Sequence, residues 1–509
     1  MTGEGAPSHK LNLATTIVGF CISIVTGLWF TPYLVHALGP AAYGLIPLAT
    51  TIVSYFSLLS QTLSAALTRN LAIAFSSGNI EDANRAFGTI LSATGVACVA
   101  LLPPLAAVAI FAPAMFQIPA GMDGETRLLF GAVALSFLLS LVSTCFSAVS
   151  FSTNRIYLNN LVAAAQTLLR LGVTVVLFGW IGPGTVQAAA GILFASMCAT
   201  TFTILAAKFS MPMLKLRHFD YDGAVFRGVY RTSAHQLVMQ AGTVLVMSSE
   251  IVLVNKLFGH YDAGRYAAVT QWLLLLRNAT IALTVLSVPT MLSLHARGRH
   301  DLLIAFVKRA MRWIGICLAL PAGYLCGLSA QILTVWLGSS FADLWPILCI
   351  QIAPLVVISA IVPLYSISLA ADRVLPSGIV QCVTGLVGIG LSLLAVLEFG
   401  AGMTAIAICV GWSLLGKELA FMPIYAAHNI KAGYGTFYSP LVPGLVLWVV
   451  AVATAWTLGK LFLLDSYFKL GVAGIAVTAI FGLAALILLP REDRHVLFKL
   501  IRPTRQSLA

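Results

Sequence analysis

Five charged residues lie deep inside apolar runs of this sequence: Arg170, Glu250, Arg277, Lys417 and Glu418. An Arg or Lys facing hydrocarbon at mid-depth costs at least about 2.5–3.5 kcal/mol. Such residues therefore face a protein interior or a water-filled cavity. Counting about 1.5 Å of rise per residue, Arg170, Arg277 and Lys417 fall near the middle of their runs. Glu250 falls nearer one end. One reading is a central cavity with excess positive charge. A phosphate or pyrophosphate group suits it, because a guanidinium offers paired donors in one plane. Internal ion pairs that only hold helices together are the other reading. Adjacent helical positions are about 100° apart, so Lys417 and Glu418 need not share a face. The candidate substrate-binding residues are Arg170, Arg277, Lys417 and Glu250. Arg69 and Arg85 are candidates for the inner mouth, although simple topology charges explain them as well. No catalytic triad or P-loop is visible. The nine cysteines form no CxxC and no metal-ligand spacing. No catalytic residue, metal or cofactor is expected.

The elements that must position these charges are apolar runs. A hydrocarbon core about 30 Å thick takes about 20 residues per helix, and fourteen such runs can be laid along the chain. Only 9% of residues are charged and 59% are hydrophobic, which no soluble domain could solvate. The fold class is therefore all-α, a polytopic membrane protein with about 14 transmembrane helices. Lys and Arg sit on alternate connections. With both ends on the basic side, the opposite side carries only Arg127, Lys256, Arg265, Lys460 and Lys469. Basic connections are retained in the cytoplasm, so both termini are expected there. The net charge of +12 then reads as topology and as affinity for anionic lipid head groups, not for nucleic acid. The first apolar stretch is too long for a cleavable signal core. No connection is long enough for a folded domain.

The chain also looks duplicated. Leu38-Gly39-Pro40-Ala41-Ala42-Tyr43-Gly44 and Gly259-His260-Tyr261-Asp262-Ala263-Gly264-Arg265-Tyr266 both place Gly and Tyr at a tight outer turn. Each is followed by a cytoplasmic connection, one around Gly78-Asn79 and one around Arg297-Gly298-Arg299. Six spans per half makes the halves parallel, related by an axis along the membrane normal. That is a transporter architecture with its site between the halves. The expected organisation is a six-helix lobe over 1–208, a basic cytoplasmic linker over 209–234, a second six-helix lobe over 235–430, and two appended helices with a basic tail over 431–509. Within that tail, 491–502 alternates basic and apolar residues, which reads equally as a short interfacial helix or as a solvated retention tail. Prolines such as Pro103, Pro104, Pro321 and Pro363 are expected to break spans.

The Leu38-Gly39-Pro40-x-x-Tyr43-Gly44 turn, the Gly78-Asn79 connection and the 6+6+2 layout resemble the polysaccharide-transporter branch of the MOP exporter superfamily, which includes the Wzx-type flippases. Lipid II flippases and MATE multidrug exporters are its relatives. The resemblance implies a flippase, not an enzyme, in the bacterial inner membrane. Its substrate would be a polyprenyl-diphosphate-linked oligosaccharide, moved by alternating access for lipopolysaccharide or exopolysaccharide synthesis. Partners would be that lipid-linked oligosaccharide, membrane lipids and other polysaccharide-assembly membrane proteins. Two rivals stand beside it. A MATE-type cation-coupled multidrug exporter would favour acids facing the cavity, and here span 7 carries only Glu250 and span 1 none. A membrane polysaccharide polymerase or ligase would need catalytic groups on a substantial outer loop, and the outer connections are short.

Overall fold

The computed structural model describes residues 9–57, 80–212, 223–285, 287–371 and 373–488. Everything regular in them is helix. The long helices are α1 (His9–Tyr43), α3 (Ile80–Met115), α4 (Asp123–Ser152), α5 (Ile156–Ile181), α6 (Thr185–Ser210), α7 (Gly223–Phe258) and α8 (His260–Val285). They continue with α10 (His300–Gly327), α12 (Trp345–Ile361), α14 (Leu375–Leu397), α15 (Met403–Ala420), α17 (Leu441–Leu461) and α18 (Tyr467–Leu488). Shorter pieces are α2 (Leu45–Ser54), α9 (Val288–Ala296), α11 (Ser329–Leu337), α13 (Leu364–Ala370) and α16 (Met422–Asn429).

Among the described residues, 12 helical spans are long and apolar enough to cross a membrane, and 13 if the bent pair α10–α11 is one span. The second expected run starts as α2 and continues into 58–79, outside the described residues. Each of the fourteen runs thus has a helical counterpart. The chain is a multi-pass membrane protein.

Proline is a poor guide to where the helices break. Pro103 and Pro104 lie inside α3, and Pro321 lies inside α10. The sharp bend, 77°, comes later, at Leu328 between α10 and α11. Pro363 does mark a break, at the start of α13. A membrane helix tolerates a proline when neighbouring groups satisfy the freed carbonyl, so composition alone does not locate the kink. The expected cap at Asn79 and the expected tail helix over 491–502 lie outside the described residues. Within the expected linker, α6 ends at Ser210 and α7 already begins at Gly223.

The chain divides into two compact units, Met1–Gln271 with Val374–Ile406, and Trp272–Arg373 with Ala407–Ala509. In the first unit α4 packs between α3 and α6, α5 lies against α6 and α1, and α7 runs along α14. One apolar core joins Phe87 and Ile90 of α3 to Phe146 and Val149 of α4 and Ala207 of α6. The start of α1 is fastened to the α4–α5 turn. Asn12 Nδ2 donates to the Asn154 carbonyl at 3.1 Å, and the Tyr157 amide donates to Asn12 Oδ1 at 3.0 Å. In the second unit α10 packs on α12 and α17, and α17 on α18. There a second core gathers Val307 and Met311 with Ile361, Leu364, Met422 and Phe437.

The two Gly-Tyr turns touch each other within the first unit. Gly44 opens α2 and Gly264 is the fifth residue of α8. A Cβ on Gly264 would sit 1.8 Å from the Pro40 carbonyl oxygen, and one on Gly44 would sit 2.7 Å from the Gly264 Cα. Only hydrogen fits at either place. Beside them, Gln117, two residues past α3, is clasped to the end of α7. The Gln117 amide donates to Asn255 Oδ1 at 3.1 Å, Asn255 Nδ2 donates to the Gln117 carbonyl at 2.9 Å, and Gln117 Nε2 donates to the Lys256 carbonyl at 3.0 Å. Asn255 is 1% exposed, so water does not replace these bonds. Asn255→Ala is expected to destabilise the protein by about 1–3 kcal/mol, the range for stranding buried backbone groups. Thermal unfolding in detergent measures it, with a shift no larger than that of a surface alanine counting against the clasp.

Candidate substrate site

The charges expected at mid-depth have different surroundings. Lys417 and Glu418, near the end of α15, are 6% and 3% exposed. The Lys417 ammonium donates to Glu418 Oε1 at 2.7 Å and also to the Tyr365 hydroxyl. Tyr365, on α13, donates to the same Glu418 oxygen at 2.7 Å. The three groups tie α13 to α15. Lys417 is thus a cation balanced by its sequence neighbour. The long lysine stem turns back across the 100° between adjacent positions, and the tyrosine hydroxyl completes the ring of donors. Glu250 on α7 is buried as well, and its Oε2 accepts from the Tyr266 hydroxyl of α8 at 2.6 Å. Two residues earlier, Ser248 is bonded to Ser54 of α2 at 2.9 Å.

Arg277 is half-buried on α8 and is engaged by other groups. Arg85 is exposed in the second turn of α3, and Arg69 lies outside the described residues. On the side expected to be extracytoplasmic, Lys469 pairs with Asp465 at 2.7 Å. That ammonium holds the Asp465 carboxyl below the usual carboxylate range. Lys256 and Lys460 lie over the Phe116 and Trp456 rings. These are local contacts at helix ends.

Arg170 differs from all of these. It sits on α5, half-buried, with no carboxylate at ion-pair distance among the described residues. Its guanidinium carbon lies 5.8 Å from the centre of the Phe30 ring of α1. The buried Tyr43 hydroxyl is close enough to interact with it electrostatically. Arg170, Thr174 and Phe178 follow one another at i, i+4 and i+8, so they share one face of α5. Phe178 carries the contact to α1 onward, stacking on Tyr33 with centroids 5.8 Å apart. Tyr33 stacks in turn on Trp29 at 5.2 Å. The sequence signal for this group was the run Trp29-Phe30-x-x-Tyr33, aromatic residues three and four apart that meet on a helix. The charge pattern alone did not single it out. Tyr365 and Tyr266 were equally silent, because a lone tyrosine in an apolar run gives no sign of which carboxylate it will reach.

No protein-family model matches the chain. A membrane protein of Bacillus subtilis (strain 168), EpsK, itself described as uncharacterized, is 28% identical over 503 residues, 98% of this chain and 99% of that protein. Among solved structures, the lipid II flippase MurJ in an inward closed conformation aligns with a TM-score of 0.67 at 15% identity, covering 97% of this chain and 100% of that one. An inward-facing multidrug resistance MATE family transporter of the MOP superfamily aligns with a TM-score of 0.67 at 11% identity, covering 81% of this chain and 94% of that one. The MATE multidrug transporter DinF-BH aligns with a TM-score of 0.63 at 14% identity, covering 84% of this chain and 97% of that one. At these identities the likeness is one of fold. The chain has the fold that MATE transporters and MurJ share.

Proposed function

We propose that this chain is a flippase that carries a polyprenyl-diphosphate-linked oligosaccharide across the bacterial cytoplasmic membrane, for cell-surface or exopolysaccharide synthesis. The observation that carries the reading is Arg170, a mid-membrane guanidinium with no carboxylate partner among the described residues. Lys417 is neutralised from within by Glu418. A half-buried cation at mid-depth without a carboxylate partner is costly, and an anion arriving with each substrate would offset that cost. A diphosphate is such an anion, and Arg binds it with directed donors. The lengths agree with a lipid-head carrier, since MurJ matches 97% of this chain while the two MATE transporters match 81% and 84%.

In this reading both termini are cytoplasmic. The head group crosses by alternating access, and the polyprenyl tail stays in the bilayer. The contact of the Gly44 and Gly264 turns closes the outer side and separates for release. Such a cycle moves a head group without a covalent step, so no catalytic residue is needed.

Reconstituted vesicles carrying a fluorescent polyprenyl-diphosphate-linked N-acetylhexosamine test the reading. Quenching from outside reports the fraction moved between leaflets. The wild-type protein should speed movement well above protein-free vesicles, and Arg170→Ala should cut that rate by about tenfold or more, the effect of losing a charged hydrogen bond to the substrate. Movement no faster than in empty vesicles, together with efflux of cationic dyes, would instead make it a drug exporter.

A further inference from the structure

The rings beside Arg170 form a small platform. Trp29 and Tyr33 stack with centroids 5.2 Å apart and planes 11° apart. Tyr33 and Phe178 stack at 5.8 Å and 25°, and Phe30 and Tyr33 lie 6.4 Å apart at 15°. Four rings from two helices are therefore nearly parallel. Phe178 is the buried end, at 6% exposed, and Trp29 is the open end, at 50%. Trp29 and Phe30 are consecutive residues, and it is over Phe30 that the Arg170 guanidinium sits.

Aromatic side chains half-exposed on a membrane helix ordinarily meet lipid. Arg170 argues against hydrocarbon along this edge, because a guanidinium facing lipid at mid-depth is disfavoured. Arg170 precedes the end of α5 by about 11 residues, roughly 16 Å along the axis. It is too deep for a simple stretch to the membrane surface to be its resting place.

We propose that the α1–α5 face is a subsite for the diphosphate and first sugar of the lipid-linked substrate: Arg170 takes the diphosphate and Trp29 takes the sugar. The inference rests on the function proposed above and adds where the head group sits. It follows from the chemistry of the ligand. In a polyprenyl-diphosphate sugar the first sugar is bonded directly to the second phosphate. A site for the diphosphate must therefore have a sugar surface beside it. The C–H-rich face of a pyranose is weakly positive, and an indole face is negative. The open face of Trp29 suits the first, and the stack beneath holds the indole in one orientation at little entropic cost. Tyr43 and Thr31, 5% and 6% exposed, close the polar end next to Arg170.

The test is binding to purified full-length protein in nanodiscs, with three probes: polyprenyl diphosphate, polyprenyl-diphosphate-linked N-acetylglucosamine, and phosphatidylglycerol as competitor. The sugar-bearing lipid should bind about three- to tenfold more tightly than bare polyprenyl diphosphate, the size of one aromatic stacking contact. Trp29→Ala should remove that difference and leave the affinity for polyprenyl diphosphate unchanged, while Trp29→Phe keeps part of it. Arg170→Lys should weaken both lipids alike. Equal binding of the two lipids by the wild type, or a difference that survives Trp29→Ala, overturns the sugar platform while leaving the flippase reading standing. Phosphatidylglycerol competing as well as polyprenyl diphosphate overturns the subsite in favour of a general phosphate seat for membrane lipids. Absence of binding to either polyprenyl lipid removes the flippase reading and this inference together.

Discussion

Lys417→Met is expected to lose most of the folded protein, and Lys417→Met combined with Glu418→Leu to regain it. Removing the ammonium leaves a carboxylate at a position 3% exposed with, among the described residues, the Tyr365 hydroxyl alone to share it. Breaking one side of a buried pair costs about 3–5 kcal/mol, whereas replacing both charges by apolar groups of similar volume is close to neutral. Marginal stability makes the first figure decisive, since it is a large part of the typical total of about 5–15 kcal/mol. The measurement is the monodisperse fraction after detergent extraction, followed by thermal unfolding of each variant. Transport by the double variant then separates two roles. Normal movement of the polyprenyl-diphosphate probe makes the pair a helix fastener. A folded double variant that no longer transports makes the pair part of the cycle. If Lys417→Met alone folds as well as the wild type, the pair does not hold α13 to α15.

The second large effect is expected at Gly264. Gly264→Ala would put a methyl carbon 1.8 Å from the Pro40 carbonyl oxygen. Backbone atoms on both sides block any small adjustment, so the two turns must part. Overpacking of this kind costs about 1–3 kcal/mol and occasionally more. Gly95→Ala is the control: that Cβ meets nothing within 4 Å, and an alanine inside α3 should be neutral or gain a fraction of about 1 kcal/mol. The readout is a disulfide between Gln117→Cys and Asn255→Cys, introduced together in a background with the nine native cysteines replaced. Cross-linking should be efficient with Gly264 and fall severalfold with Gly264→Ala. An unchanged yield would mean that the turn contact does not hold the ends of α3 and α7 together. In the flippase reading the cross-link should also block transport reversibly, because the outer side cannot open while it is in place.

Much of the architecture could be read in the sequence because a membrane imposes one simple requirement, about 20 apolar residues for each crossing. The bend at Leu328 could not. It comes after Gly327, while the nearest proline, Pro321, lies inside α10. The Gly44 and Gly264 turns were visible as a repeated pattern, but a repeat does not say that its copies touch. Their contact depends on backbone approach, which leaves no mark in composition beyond glycine itself. Charge placement gave Arg170, Glu250, Arg277 and Lys417 an expected depth but no direction. For Lys417 the partner was the next residue, the one helical geometry makes least obvious. For Arg170 the surroundings are aromatic, and an aromatic residue in an apolar run is ordinary. The distinction between a balanced and an unbalanced cation exists only once the chain is folded.

The clamp at the start of α1 sets a clock for biogenesis. The Asn12 side chain is hydrogen-bonded to the backbone of a turn 142–145 residues further along the chain. At about 5–20 residues per second, roughly 7–30 s of translation separate the two partners. Throughout that interval α1 waits in the bilayer with a polar Asn12 amide that has not met its acceptor. Variants that weaken Asn12 or Asn154 leave that wait unresolved, and pulse-chase labelling should show them degraded faster than the wild type.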